Sequence, residues 1–249
     1  MEQMELTGKI LPGIPVEEHP FPPFLPEGAK VLILGTFPPA AEKRAMDFYY
    51  PNFQNDIWRI MGMIYFKDPD HFRKGTKKAF DPEAIKAFLT RTGIALGPTV
   101  LRAQRQKGNA SDKFLHVVEE ASLAAMVRQI PDCRHLITTG EKATEILLGQ
   151  CTDPPKLPRT GTTLPITLDG RELLLSRLPS TSRAYPMKLE KKAEMYGAVL
   201  LEAAPPVLNI LVHRIGIEIF GMPRQHVHHA LAFLQIFVPK HLRHARARH

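Results

Sequence analysis

The sequence predicts an α/β protein: a three-layer α/β/α domain on a mainly parallel central sheet of about four strands. Three observations lead there. Apolar runs of strand length at residues 31–34, 94–97 and 135–139 each stop at a glycine. Segments of helical period separate those runs, and alternation of this kind is how parallel sheets with covering helices are built. Finally, Asp169-Gly170 lies between two apolar runs at 165–175, the strongest short-range hairpin signal a sequence offers.

Taken in order, residues 1–28 contain Pro20, Pro22, Pro23 and Pro26, which rule out a helix. They are expected to form an extended lead-in that packs Phe21 and Phe24 on the domain. Val31-Leu32-Ile33-Leu34 reads as a fully buried strand, because both faces of a parallel strand are covered. Ile57, Ile60, Met61 and Ile64 recur at helical spacing, predicting an amphipathic helix over 55–65, and a basic loop follows at 66–76. Asp81 reads as an N-cap with Pro82 at the first helical position, opening a helix through 91 that Gly93 stops.

Residues 94–97 are expected to form the second strand, 98–113 a polar loop with little core material, and 115–129 a helix. The third strand is expected at 135–139, with a helix at 141–148. The second strand of the hairpin should run to 178, and a closing helix should span 188–202. From residue 205 the composition changes, with 7 of the chain's 11 histidines and a basic end. The expected organisation is therefore a lead-in at 1–28, a domain at 29–204 and an extension at 205–249 to which no chemistry is assigned.

A hydrophobic content of 44% over 249 residues is ample for a core. Cys133 and Cys151 are too few for a cysteine-built metal cluster and carry no redox spacing, so reduced thiols in a cytoplasmic protein are expected. The opening residues lack a signal-peptide pattern and no 18-residue apolar run occurs, so no membrane span is expected. The histidines of the extension have neither acidic partners nor a fixed spacing, and no metal is expected there. Of the formal charge of +8, residues 205–249 contribute six Lys/Arg against one acid, or +5. Lys67, Arg73, Lys74, Lys77 and Lys78 form one basic cluster in the remainder, and Arg102, Arg105, Lys107 and Lys113 another. Such clusters suit a phosphate backbone, though a solvated face has the same composition.

The segment after the first strand collects Phe48, Tyr49, Tyr50, Asn52, Phe53, Gln54, Asn55 and Trp58. It lies beyond the carboxyl end of a strand, where open α/β sheets bind ligands. Rings stack on a planar heterocycle and amides pair with its edge, and the same rings could equally be core.

Gly35-Thr36-Phe37-Pro38-Pro39, then Tyr49-Tyr50, then Asn55 ahead of Ile57-Trp58 resembles the first motif region of the uracil-DNA glycosylase superfamily, in particular its hypoxanthine/uracil (DNA-deoxyinosine glycosylase-like) branch. Leu178-Pro179-Ser180-Thr181-Ser182-Arg183-Ala184, about 140 residues later, resembles the second motif. The likeness covers roughly 31–201. It implies a monomeric, monofunctional, metal- and cofactor-independent DNA glycosylase that flips a deaminated base, uracil or hypoxanthine, out of DNA and hydrolyses its N-glycosidic bond.

Most of the superfamily places a water-holding Asp or Asn at the third position of the first motif. Here that position is Phe37, and the resemblance assigns the catalytic role to Asn55. It implies that Tyr50 stacks on the base while Thr36, Phe37 and Pro38 line the base edge. Ser180 would contact the substrate, Thr181 and Ser182 the DNA phosphates, and Arg183 would fill the gap left by the base. The Asp or Asn that reads the base edge after the second strand is replaced by Pro98. Residues 109–112, Asn-Ala-Ser-Asp, could supply that group or cap the next helix. The second reading is a catalytically weak nucleic-acid-binding relative of the same fold.

Overall fold

The computed structural model describes residues 8–106 and 112–206. The segments 1–7, 107–111 and 207–249 lie outside the described residues. The histidine-rich extension and residues 109–111 fall there.

Five strands form the central sheet: β2 (Val31–Gly35), β3 (Ile94–Pro98), β6 (His135–Thr139), β7 (Thr162–Leu168) and β8 (Arg171–Leu178), in the order β3-β2-β6-β8-β7. β3, β2, β6 and β8 are parallel and β7 is antiparallel, so the sheet is mixed. The Asp169-Gly170 turn explains β7: both residues have positive φ, 53° and 72°, as a tight two-residue hairpin turn requires.

Strand side chains alternate between faces, and β2 divides the core accordingly. Val31 and Ile33 face α1 (Ile57–Phe66), α2 (Pro82–Thr92) and α5 (Leu189–Ala203). Leu32 and Leu34 face α3 (Leu123–Gln129) and α4 (Glu141–Gly149). Three layers result. α2 begins and ends as its sequence signals, with Asp81 accepting the amides of Glu83 and Ala84, and Gly93 at φ 69°.

Two expectations need correction. The polar loop expected at 98–113 contains β4 (Val100–Arg105), and the helix expected at 115–129 divides into β5 (Leu115–Glu120) and the short α3. With β1 (Val16–Glu18) these strands make a second, antiparallel sheet, β1-β4-β5. Val100, Ala103, Leu115 and Val117 give it a small core of its own, against which Phe37 packs. Ser122 caps α3 by accepting the amide of Ala125, which is why the helix starts there and not at 115. The second basic cluster is partly structural as a result. Arg102 pairs with Glu119, and Arg105 is enclosed between Glu17 and the Pro38 carbonyl.

The lead-in is stitched into this second sheet. The fully buried amide of Gln104 accepts from the Leu11 amide and donates to the carbonyls of Leu11 and Ile14. Phe21 is core and Phe24 pairs through its backbone with Leu96.

Helix α1 ends at Lys67 in the left-handed conformation, and the chain folds back so that a Cβ on Gly62 would lie 2.2 Å from the Asp68 carbonyl oxygen. Backbone cannot yield as a side chain end can. Gly62→Ala is therefore expected to destabilise the protein by about 1–3 kcal/mol, read as a lower urea midpoint with an unchanged slope.

Candidate active site

The parallel strands β3, β2, β6 and β8 all end on one rim, with Gly35 beside Pro98, Leu34 beside Thr138, and Thr139 beside Leu178. The ends of β2, β3 and β8 continue into segments singled out in the sequence.

The loop after β2 is held by its carbonyls. Arg105 donates to the Pro38 oxygen and Arg44 to that of Pro39 at 2.9 Å. Thr36 and Pro38 are buried, and Phe37 is turned into the second sheet's core with the Arg105 guanidinium 5.4 Å from its ring centre and the ring of His19 at its edge. His19 is itself shut among Phe21, Phe37 and Tyr49, and burial lowers its pKa to about 4, so it is neutral at pH 7.

Tyr50 has φ 53°, a conformation uncommon for a bulky residue and found most often where a site demands it. Its hydroxyl lies 3.5 Å from Thr139 Oγ1, and a Cβ on Gly35 would come within 3.1 Å of that hydroxyl. Trp58 meets its ring edge-on at 6.1 Å. Burial, the largest cause, pushes its pKa up to about 12. Phe48, Tyr49 and Trp58 are core, while Tyr50 and Phe53 pack partly buried against it.

The two motif segments are joined backbone to backbone. Asn55 bridges Ser182, the Asp56 amide donates to the Thr181 carbonyl at 2.8 Å, and the Arg183 amide donates to the Gln54 carbonyl at 3.3 Å. Asp56, 5% exposed, locks the junction. One oxygen takes Arg183 Nε at 2.9 Å and the other takes Lys192 Nζ at 3.0 Å. Lys192 comes from α5, is fully buried, and donates a further bond to the Ser182 carbonyl at 2.8 Å. Tyr196, also from α5, fixes the Pro179 carbonyl at 2.8 Å.

Asn55 is half-buried at this junction, and its Oδ1 accepts the Ile57 amide at 3.0 Å at the start of α1. Ser180 Oγ accepts the Ser182 amide and Ser182 Oγ that of Ala184, so both hydroxyls shape the turn. Thr181 is placed differently: its side chain is 2% exposed, and its contribution to the junction is its carbonyl. Arg183 is exposed yet anchored to Asp56, with its guanidinium 5.8 Å from the Phe53 ring centre. Arg59 and Arg73 approach the same ring at 5.3 and 5.7 Å. Exposed Lys67, Lys74, Lys77 and Lys78 extend this positive face.

Asp112 was left open between two roles in the sequence, and the structure brings it to the rim. It opens a 3-10 turn, Asp112–Phe114, and accepts the Thr36 hydroxyl at 2.9 Å across 76 residues. It caps no helix at 115, because β5 begins there. Burial raises its pKa, with the Thr36 bond and the charges of Lys142 and Arg105 opposing.

Among the described residues no group of three or more His, Cys, Asp or Glu could hold a metal, and no helix is long and apolar enough to cross a membrane.

No family model matches the chain. It is 28% identical over 131 residues to a hypoxanthine DNA glycosylase from Methanosarcina barkeri (strain Fusaro / DSM 804), covering 52% of this chain and 75% of the relative. Among solved structures it is similar to a candidate uracil DNA glycosylase from Methanosarcina acetivorans, determined by solution NMR. That match has a TM-score of 0.51 and 21% identity, covering 76% of this chain and 98% of the other. At that identity the likeness speaks for the fold. Together the two findings bear out the resemblance to the uracil-DNA glycosylase superfamily, on its hypoxanthine/uracil side.

Two stability predictions follow from this geometry. Lys192→Met leaves the buried Asp56 carboxylate with Arg183 alone and is expected to cost about 3 kcal/mol in chemical denaturation. Asp112 has a folded pKa above its unfolded one, so the folded state holds the proton more tightly and its ionisation opposes folding as pH rises through that window. Asp112→Asn is therefore expected to melt higher than wild type at pH 8, with the difference shrinking at pH 4.

Proposed function

We propose that this protein is a DNA glycosylase that hydrolyses the N-glycosidic bond of a deaminated base, uracil or hypoxanthine, extruded from DNA. The observation that carries the reading is the junction at Asp56. It sets Asn55 of the first motif against Ser182 of the second, 127 residues away, on the rim where Tyr50 is held in a strained conformation. The names of the Methanosarcina relatives support the same chemistry.

The base leaves its stack and lies on Tyr50, with its edge toward Thr36, Phe37 and Pro38, whose loop is pinned by Arg105 and Arg44. Ser180 and Ser182 face the sugar-phosphate chain from the second motif. The Thr181 backbone holds the register behind them. Arg183 stands at the edge of the gap that the base vacates, and the positive face around Phe53 follows the phosphates.

Breaking the bond develops positive charge on the sugar carbon and negative charge on the base. An amide oxygen can accept more than one hydrogen bond, so Asn55 Oδ1 has capacity for a water beside the Ile57 amide. That water adds to the anomeric carbon as the C–N electron pair departs with the base. Its proton goes to solvent and the base takes one up, giving free base and an abasic sugar. The reaction as read here needs neither metal nor covalent intermediate, and a monomer suffices.

The second reading, a nucleic-acid-binding relative with weak catalysis, is favoured by the same bond, since an amide that closes a turn onto the first amide of α1 has a structural role without any water. Single-turnover release of uracil, hypoxanthine and xanthine from oligonucleotides separates the two. Wild type should release at least one of them, and Asn55→Ala should lower the rate by ~10²-fold with little change in binding. Tyr50→Ala should instead weaken capture of the base, by about 1–3 kcal/mol. If wild type released none of the three bases, the binding-protein reading would take its place.

A further inference from the structure

The ring of Phe53, two residues before Asn55, is crowded by cations. The guanidinium carbons of Arg59, Arg73 and Arg183 lie 5.3, 5.7 and 5.8 Å from its centre. They come from the first turn of α1, the basic loop after it and the second motif. One cation on an aromatic ring is a favourable contact, but three like charges gathered on the same ring repel one another. Acid to offset them is scarce. Asp56 takes Arg183 and is shared with the buried Lys192, and the exposed Asp70 stands 3.9 Å from Arg59. Exposed Lys67, Lys74, Lys77 and Lys78 add charge of the same sign.

Arg59 is the group that the fold leaves unserved. Its side chain is 24% exposed, its Nε is buried without a hydrogen-bond partner, and Asp70 is beyond hydrogen-bond range. The Nε atoms of Arg102 and Arg177 are also buried and unpartnered, but each of those side chains gives a terminal nitrogen to a carboxylate, that of Glu119 and of Glu141. Shutting in a guanidinium with donors and no acceptor costs stability. The two neighbours are held still. Arg73 donates to the carbonyls of Thr76 and Lys77 at 3.1 Å, and Arg183 donates from Nε to Asp56 and from Nη2 to the Phe53 carbonyl. Each guanidinium has five N–H groups, so both keep donors without a partner among the described residues.

We propose that Arg59, flanked by Arg73 and Arg183, grips one backbone phosphate of the DNA beside the extruded nucleotide, and that Arg183 serves this grip instead of filling the gap the base leaves. The inference rests on the DNA-binding part of the reading above and not on its catalysis. A phosphate supplies what this place lacks, negative charge and paired acceptor oxygens that match the guanidinium fork. A flanking base would find no free ring to stack on, since the guanidiniums and the Phe80 ring, 5.0 Å away, already lie against Phe53. Arg183 could reach into a duplex only by giving up Asp56, leaving that buried carboxylate to Lys192 alone. Arg59 follows Asn55 by four residues, so the gripped phosphate lies close to the reacting sugar.

The test measures binding of the full chain to oligonucleotides carrying one uracil or inosine, single-stranded and duplex, with base release followed in parallel. Each phosphate around that nucleotide is replaced in turn by an uncharged methylphosphonate. Wild type is expected to lose about 10-fold in affinity at one position, the scale of a hydrogen bond to a charged group. Arg59→Met should bind the unmodified strand about 10-fold more weakly, with a shallower salt dependence, and should lose nothing further at that position. Arg59→Lys keeps the charge and should recover part of the loss, and Arg73→Met reads the same coupling if Arg59→Met is not folded. Arg183→Ala should lose as much on single strands as on duplex. A folded Arg59→Met as sensitive as wild type at every position, or a wild type that no single methylphosphonate weakens, overturns the grip. A loss in Arg183→Ala confined to duplex returns that residue to the gap and overturns its part in the inference. Coupling in a protein that releases no base would uphold the grip and defeat the enzyme reading, whereas release without coupling would leave the enzyme and remove the grip.

Discussion

The carboxylate of Asp56 is the interaction on which the rest of the rim depends. It sits one residue after the proposed catalytic amide, at the mouth of α1, and reaches one cation from the second motif and one from α5. Burying an isolated charge is costly, so neither the carboxylate nor Lys192 would stay in place alone. Together they compel three separate segments to meet in one register: 54–56, 181–183 and the second turn of α5. Backbone bonds between the first two then fall into place, since Asp56 and Arg183 each also contribute an amide to the junction. Apolar contacts would hold these segments near one another, but only directional bonds decide that Asn55 stands opposite Ser182.

That dependence explains which parts of the fold were legible in the sequence. Strands with continuous apolar runs, such as 31–34, and helices with explicit caps, such as Asp81-Pro82 and Gly93, carry their structure locally. The second sheet does not. β4 holds Arg102, Gln104 and Arg105, which read as loop residues until their partners are known: Glu119, the lead-in backbone and Glu17. β5 alternates Leu115 and Val117 inward with His116 and Val118 less buried, a strand pattern that the helix-like spacing of Leu115, Val118 and Leu123 obscured. Ser122 was the available signal, a cap in the middle of what read as one helix.

The candidate site shows the same division. Tyr50, Asn55 and the LPSTS turn were legible because their order along the chain resembles a known pattern. Their partners were not. Lys192 reads as an ordinary surface residue of an amphipathic helix, since nothing in its neighbours announces a buried carboxylate more than a hundred residues earlier. Asp112 was ambiguous for a related reason: its meaning depends on Thr36, with which it shares no local pattern. Phe37 runs the other way. Its apolar side chain is accounted for by the second sheet, which supplies the small core that receives it.

Costs that the fold does not require gather on this rim. Tyr50 is held at positive φ, and the Thr99 hydroxyl beside β3 is buried without a hydrogen-bond partner. Each is unfavourable alone, by about 1–3 kcal/mol for a strained residue and a similar amount for an unsatisfied buried group. The opposite end of the sheet shows a different economy, with His135 and Ser176 bonded at 2.8 Å and Ser176 bonded again to Thr163. Strain at Tyr50 and an unpartnered hydroxyl at Thr99, both on this rim, are what a site prepared for a ligand would show, because binding there can relieve them. The two apolar cores on either face of the sheet make such costs tolerable, and they keep the rim from relaxing into a cheaper shape when no ligand is bound.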